Sequence, residues 1–342
     1  MTTYSFLDDY SEGAHPEILE ALAATNLVQQ TAYGNDEYSI EARRLIADAC
    51  DQPGIDVHFV SGGTLANLTI CAATLRPHEA IISATTGHIA LRETGAIEAV
   101  GHKVIAMSSV DGKLRPADLE AAIAANSQAP HMAKPRLVYV SNATELGTVY
   151  TRAELVDLRA ACDRLGLLLM IDGARLGVAL ASDHADSTTL ADIAKVADVF
   201  WIGGTKLGTL LGEAIVIPHP DLAVDFAFHL KQRGALLAKG RLLGLQFRAL
   251  FADGLFQRAA RHANDRARAM ADGVRAAGHR LSAEPESNQV FAILPDTLIE
   301  SLSREYAFYV WERHDADHSV VRLVTSWSTP AEQVDRFVAA LG

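Results

Sequence analysis

Two charged side chains stand where the sequence leaves little room for water. In LLLMIDGARLG, Asp172 follows five apolar residues, and in DVFWIGGTKLGTLLGEAIVIP, Lys206 lies between two apolar runs. A buried carboxylate stays ionised only when it is paired or hydrogen-bonded. Asp172 therefore demands partners, and Arg175, three residues on, is one candidate. Partial desolvation acts on Lys206 in the opposite sense, disfavouring the ammonium and raising the fraction of free amine able to condense with a carbonyl. Earlier, VHFVSGGTLANLTICAATL reads as a strand that passes through Ser61-Gly62-Gly63-Thr64 into an apolar helix. Glycines at such a junction let the helix N–H groups approach an anion, and the Thr64 hydroxyl adds a donor. The turn is neither a GxGxxG fingerprint nor a P-loop, which disfavours a dinucleotide or a nucleoside triphosphate. Each feature alone has a plain structural alternative: a strand-to-helix turn, a core ion pair, a snorkelling lysine. In combination they offer N–H groups for a phosphate, a carboxylate for a pyridinium nitrogen and an amine for an aldehyde.

Alternating strands and helices must position these groups. Short apolar runs recur at VHFVS (57–61), AIIS (80–83), HKVIAM (102–107), RLVYVS (136–141), LLLMID (167–172), DVFWIG (198–203) and EAIVIP (213–218). Between most of them HPEILEALAAT, EARRLIADAC, RPADLEAAIAAN, TRAELVDLRAACDRLG and a segment opening at Ser187 carry apolar residues at helical spacing. This alternation predicts an α/β fold with a mostly parallel sheet between helices. After about residue 240 the texture changes to a long helical stretch ending near Gly278. Then come NQVFAILP, EYAFYVW and VVRLVTSW as strands, and a final helix over 330–341. The expected organisation is an N-terminal arm (1–15), a large domain (16–239) and a small α+β domain (240–342).

Composition narrows the function. The 342 residues are 49% hydrophobic and 21% charged, as in a soluble globular chain. The net charge of -12 arises from 42 acidic and 30 basic residues without a basic run, which argues against a nucleic-acid surface. No run approaches the roughly 18 apolar residues of a membrane span. Three cysteines, Cys50, Cys71 and Cys162, lack metal-ligand spacing, and MTTYSFLDDY has neither a charged n-region nor an apolar h-region. A reduced, cytoplasmic protein without a metal is the expectation.

SGGTLAN, MIDGARL and GGTK, in this order and at these separations, resemble the fold-type-I pyridoxal 5′-phosphate enzymes, and among them the threonine aldolase and β-eliminating lyase family. The resemblance runs from FLDDYSEGAHPEILEAL through TAYGNDEYS and TTGHIALRETGA to VVRLVTSW. It implies a seven-stranded large domain, a small C-terminal domain, and homodimers or homotetramers with shared active sites. Lys206 would hold the cofactor as a Schiff base, Asp172 would face its ring nitrogen, and Gly62, Gly63 and Thr64 would bind its phosphate. His88 matches a histidine that stacks on the cofactor ring and faces the substrate hydroxyl, and general-base help is assigned to it, directly or through water. Arg175 would lie near the ring hydroxyl and the substrate carboxylate, which Arg322 would grip. Tyr33 would help close the site, from the neighbouring subunit in one arrangement.

Four positions depart from the family pattern. Asp8 stands where many members carry a small polar residue touching the substrate carboxylate, and Glu145 where many have a histidine beside the substrate side chain. Leu207 follows the lysine in place of a more usual Gly or Asn. Lys239 sits near the place of a phosphate-binding arginine from a partner subunit. The implied activity is cleavage of L-β-hydroxy-α-amino acids to glycine and an aldehyde, an aldolase reaction of amino-acid metabolism. Asp8 and Glu145 bear on whether threonine itself is the substrate. The same cofactor also supports β-elimination or transamination, and a non-catalytic oligomer is a third class.

Overall fold

The computed structural model describes residues 3–342. Each of the seven apolar runs becomes a strand, and the seven share one sheet. Their spatial order is Asp56–Val60, Glu213–Ile217, Val199–Gly203, Leu168–Asp172, Lys134–Ser141, Glu79–Ala84, Lys103–Met107. Strand Glu213–Ile217 is antiparallel to both neighbours, and all other pairings are parallel. Four of these strands are buried at every position, which is why they read as continuous apolar runs rather than alternations. The carboxyl ends of the other six strands fall along one edge, where open α/β sheets collect ligand groups. Ser141 pairs in register with Asp172 at that edge.

Helix ends follow local chemistry. Thr151 and Glu154 form a reciprocal capping box at the start of Arg152–Leu165, and Gly166, at φ 67°, ends it. Helix Glu37–Ala49 begins ahead of the EARR run because Asp36 caps it, accepting from Ser39 N at 2.8 Å. Beyond residue 240, the expected single helical stretch is two helices, Arg241–Ala252 and Leu255–Ala276, divided where Gly254 takes φ 71°. The first packs on Glu37–Ala49 and Pro16–Thr25. The second carries the chain out of the large core: Ala259 and Ala263 belong to it, whereas Ala267 and Met270 lie in a separate small core.

That small core backs a four-stranded sheet in the order Tyr309–Arg313, His318–Val324, Gln289–Pro295, Arg280–Leu281. EYAFYVW, expected as one strand, is split into Tyr306–Ala307 and Tyr309–Arg313. The first piece pairs in parallel with Tyr4–Ser5 of the N-terminal arm. Phe6, fully buried, anchors the arm in the small core. Among the described residues no helix is long and apolar enough to cross a membrane.

Two glycines are required by close approach. A Cβ at Gly173 would lie 1.7 Å from the carbonyl oxygen of Trp201, so the turn after Asp172 packs backbone to backbone on the neighbouring strand. At Gly244 a Cβ would lie 2.0 Å from Ser39 Oγ and 2.5 Å from its Cα. Gly244→Ala must therefore push helix Arg241–Ala252 off helix Glu37–Ala49. The expected loss is about 1–3 kcal/mol, read as a lower denaturant midpoint with an unchanged slope.

Candidate active site

Asp172 ends its strand 3% exposed, and donors surround its carboxylate. Oδ2 accepts from the Tyr139 hydroxyl at 2.6 Å and from Asn67 Nδ2 at 3.0 Å, while Oδ1 accepts from Ala174 N at 3.0 Å. Three donors thus satisfy this buried carboxylate. Arg175 is not its partner. That guanidinium turns to Asp9, with Nε–Oδ2 at 2.7 Å and Nη2–Oδ1 at 3.0 Å, and Asp9 is fully buried. The turn at Gly173 lets the Ala174 amide satisfy Asp172 locally, which frees Arg175 for this bidentate pair. Burial opposes both charges. Arg175 and Lys206 nonetheless hold Asp9 below the usual carboxylate range, and Asp9 raises Arg175.

Lys206 lies in a short 3-10 turn directly after strand Val199–Gly203, half-buried, with the Tyr10 ring 5.8 Å from Nζ. Burial first, and then the Arg175 charge, lower its amine below the ordinary lysine range. Asp9, Asp172 and Glu213 partly oppose them. The amine and the Asp172 carboxylate are thus near enough for the one charge to act on the other. Leu207, the next residue, is buried in the large core.

His88 begins a short helix after strand Glu79–Ala84. Its Nδ1 is 2.8 Å from Glu93 Oε1, and since a carboxylate accepts, Nδ1 carries the proton and Nε2 is left for a ligand. Burial pulls the imidazole down, but the Glu93 hydrogen bond and the Asp172 charge outweigh it, and His88 is raised. Asn67 links this pair to Asp172: Nδ2 donates to Glu93 Oε1 at 2.7 Å, and Oδ1 accepts from Trp201 Nε1 at 2.9 Å. Glu145 joins from the next loop, its Oε1 accepting from His88 N at 2.9 Å and from Ser141 Oγ at 2.7 Å. Burial raises the Glu145 carboxyl, and Asp172 adds to the rise.

Arg322 approaches from the small sheet. It packs over the rings of Tyr309 and Trp311 at 5.0 and 5.1 Å, and Nη2 donates to Leu7 O at 3.2 Å. Asp8 Oδ1 lies 3.9 Å from it, so the acidic residue at that position faces an arginine. Arg322 Nε is buried without a partner among the described residues, and desolvation followed by the Arg175 charge lowers this guanidinium.

The glycine turn is the N-terminus of helix Gly63–Thr74, which no side chain caps. A Cβ at Gly62 would meet nothing within 4 Å, leaving open space before the helix N–H groups, and Thr64 is exposed beside it. At Gly63 a Cβ would strike the Trp201 ring at 2.9 Å, so this glycine is set by packing. Tyr33 and Lys239 are not brought to this cluster. Tyr33 is exposed at φ 60° with Lys231 over its ring, and Lys239 is exposed beside a groove formed by residues 22–32 and 238–245.

Sequence reasoning missed Asp9, Asn67, Glu93, Tyr139 and Ser141. A polar Asn67 inside the apolar run TLANLTI is a signal that could have found one of them. Nothing in FLDDY distinguishes buried Asp9 from Asp8. Asn67 and Asn142, which match the glycosylation pattern, are each 1% exposed.

A triply hydrogen-bonded carboxylate, a desolvated amine and an uncapped helix N-terminus fit pyridoxal 5′-phosphate at its ring nitrogen, aldehyde and phosphate. On this sheet they define a fold-type-I enzyme of that cofactor. A family model described as beta-eliminating lyase matches residues 6–297, and the chain belongs to that family. A low specificity L-threonine aldolase of Pseudomonas aeruginosa is 36% identical, over 97% of this chain and 95% of the relative. Another, of a Pseudomonas sp., is 33% identical over 98% and 96%. The solved structure of a Leishmania major threonine aldolase matches with a TM-score of 0.96 at 47% identity, over 99% of this chain and 98% of that one.

Asp9→Asn tests the buried pair. A carboxyl held below its unfolded value stabilises the fold above that value, and the contribution is lost as pH falls through the folded one. The variant should be about 3 kcal/mol less stable at neutral pH. It should also lose less stability than the parent on acidification, as read from urea unfolding at successive pH values.

Proposed function

We propose that the protein is a pyridoxal 5′-phosphate-dependent aldolase that cleaves L-β-hydroxy-α-amino acids to glycine and an aldehyde. The observation that carries this reading is the lowered amine of Lys206 in one site with the triply hydrogen-bonded carboxylate of Asp172. Lys206 would hold the cofactor's aldehyde, Asp172 its ring nitrogen, and the Gly62–Thr64 helix start its phosphate. When bound, the cofactor supplies a sink for the electron pair left on the substrate's Cα.

The remaining work falls to this chain's own side chains. Arg322, with Arg175 behind it, binds the substrate carboxylate and so fixes which bond at Cα is aligned for cleavage. The partnerless Nε of Arg322 and its proximity to Arg175 support that role. Breaking Cα–Cβ requires the β-hydroxyl to lose its proton, and we assign that proton to His88 Nε2, with the ring oriented by Glu93. Glu145 lies beside His88 and would line the space for the substrate side chain, a role that its hydrogen bond to the His88 amide supports. Asp8 offsets Arg322, which moderates the repulsion an acidic residue would otherwise bring. We further infer a cytoplasmic homodimer or homotetramer in which Tyr33 and Lys239 reach a neighbouring subunit's site. Their exposure away from Lys206, and the 93% exposure of nearby Leu27, support that arrangement.

Incubating the purified protein with the cofactor and a panel of β-hydroxy amino acids should yield glycine and aldehyde in equal amounts. Pyruvate and ammonia from serine without glycine would instead assign β-elimination. Lys206→Ala should lose both the bound chromophore and turnover. His88→Asn should keep the chromophore and lower kcat by about 10²–10⁴-fold.

A further inference from the structure

Glu213 is a buried carboxyl to which the chemistry above gives no task. It opens the antiparallel strand Glu213–Ile217, 5% exposed, paired across the ladder with Val60 on one side and Gly203 on the other. No arginine or lysine forms a salt bridge with it among the described residues. Its two oxygens instead take separate donors from the turn that carries the lysine. Oε2 accepts from Gly204 N at 3.0 Å, and Oε1 accepts from the Thr205 hydroxyl at 2.9 Å. Thr205 Oγ1 in turn accepts from Gly212 N at 3.2 Å, and Gly204 N also meets Gly212 O at 3.1 Å, so the turn is tied at both oxygens to the strand that follows. Gly204 and Thr205 are the two residues immediately before Lys206.

We propose that Glu213 is a positioning residue for Lys206: it fixes the turn that aims the amine, and its own charge state acts on that amine. The inference rests on the reading of Lys206 as the cofactor lysine and adds the group that sets its orientation and proton affinity.

The electrostatics agree with the geometry. Burial, with Asp172 adding to it, pushes Glu213 up to about 7, against the opposing hydrogen bonds from Thr205 and Gly204 and the charge of Lys206. Glu213 in turn raises Lys206. The charged groups acting on it are thus Lys206 from the turn and Asp172 from strand Leu168–Asp172. Strand Asp56–Val60 contributes Val60, and helix Arg241–Ala252 sets the Phe247 ring against Gly204 and Gly212, so neither brings a charge. As pH falls through about 7, Glu213 takes up a proton, and the negative charge that favours a cationic nitrogen at position 206 disappears.

The test is a pH titration of the holoenzyme's visible absorbance, read beside its thermal midpoint. Glu213→Gln preserves shape and removes the charge. It should lower the pH midpoint of the absorbance change by about one unit. Glu213→Asp keeps a charge but is too short to hold the turn. It should bind the cofactor about tenfold more weakly, a loss of about 1.4 kcal/mol, with a midpoint nearer the parent's. A merely structural glutamate would change thermal stability and leave the titration where it was, and that result overturns the proposal. Should Glu213→Gln fail to fold, Thr205→Val reads the same coupling. Loss of the hydroxyl raises Glu213 and must again lower the absorbance midpoint, and no movement overturns the proposal. A parent protein whose chromophore survives Lys206→Ala overturns the assignment of Lys206 and this inference with it. A Lys206-dependent chromophore that ignores both substitutions overturns this inference alone.

Discussion

The site depends on satisfying a carboxylate at the end of an all-buried strand. Asp172 cannot hold its charge through a cation alone, because Arg175, the nearest one in sequence, is committed to Asp9. It relies on neutral donors from three different segments: Asn67 from the helix after the glycine turn, Tyr139 from the adjacent strand and Ala174 from its own turn. Each donor exists only if its segment is packed in register, so the large sheet and the charge at its edge are one construction. The same donors also constrain their other partners. Asn67 orients Glu93, Glu93 orients His88, and the His88 amide holds Glu145.

A second carboxylate joins the parts of the molecule. Asp9 accepts from Arg175 in the large core and, at 2.9 Å, from Asn288 Nδ2 beside the small sheet, while the arm that carries it is zipped to Tyr306–Ala307. Arg322 reaches the site from that same small sheet, stacked on two aromatic rings that limit its rotamers. The residues that would grip a substrate carboxylate are thus held by a different core from the residues that would hold the cofactor.

Much of this was legible in the chain. Apolar runs marked all seven strands of the large sheet, and most plainly the four covered on both faces, which have no polar face to alternate with. Asp172 and Lys206 stood out because charge inside such a run is unusual. What could not be read was which polar residue satisfies which. Arg175 is three residues from Asp172 in sequence, and only the sharp Gly173 turn, forced against Trp201 O, sends it toward Asp9 instead. Asp9 and Asp8 are adjacent and chemically alike, and the path of the arm alone decides which is fully buried. The continuation of the large core into helix Arg241–Ala252 was hidden for a similar reason. An amphipathic helix does not announce which core it will face.

The arm has a consequence for biosynthesis. Tyr4–Ser5 is made some three hundred residues before its partner strand, Tyr306–Ala307. Until then Phe6 has no small core to enter, and the arm that carries Asp9 to Arg175 has no strand to pair with. Contacts of such long sequence separation form late. The pocket is therefore finished only after the small sheet has been made, and a fragment carrying the large sheet alone would still lack a working mouth.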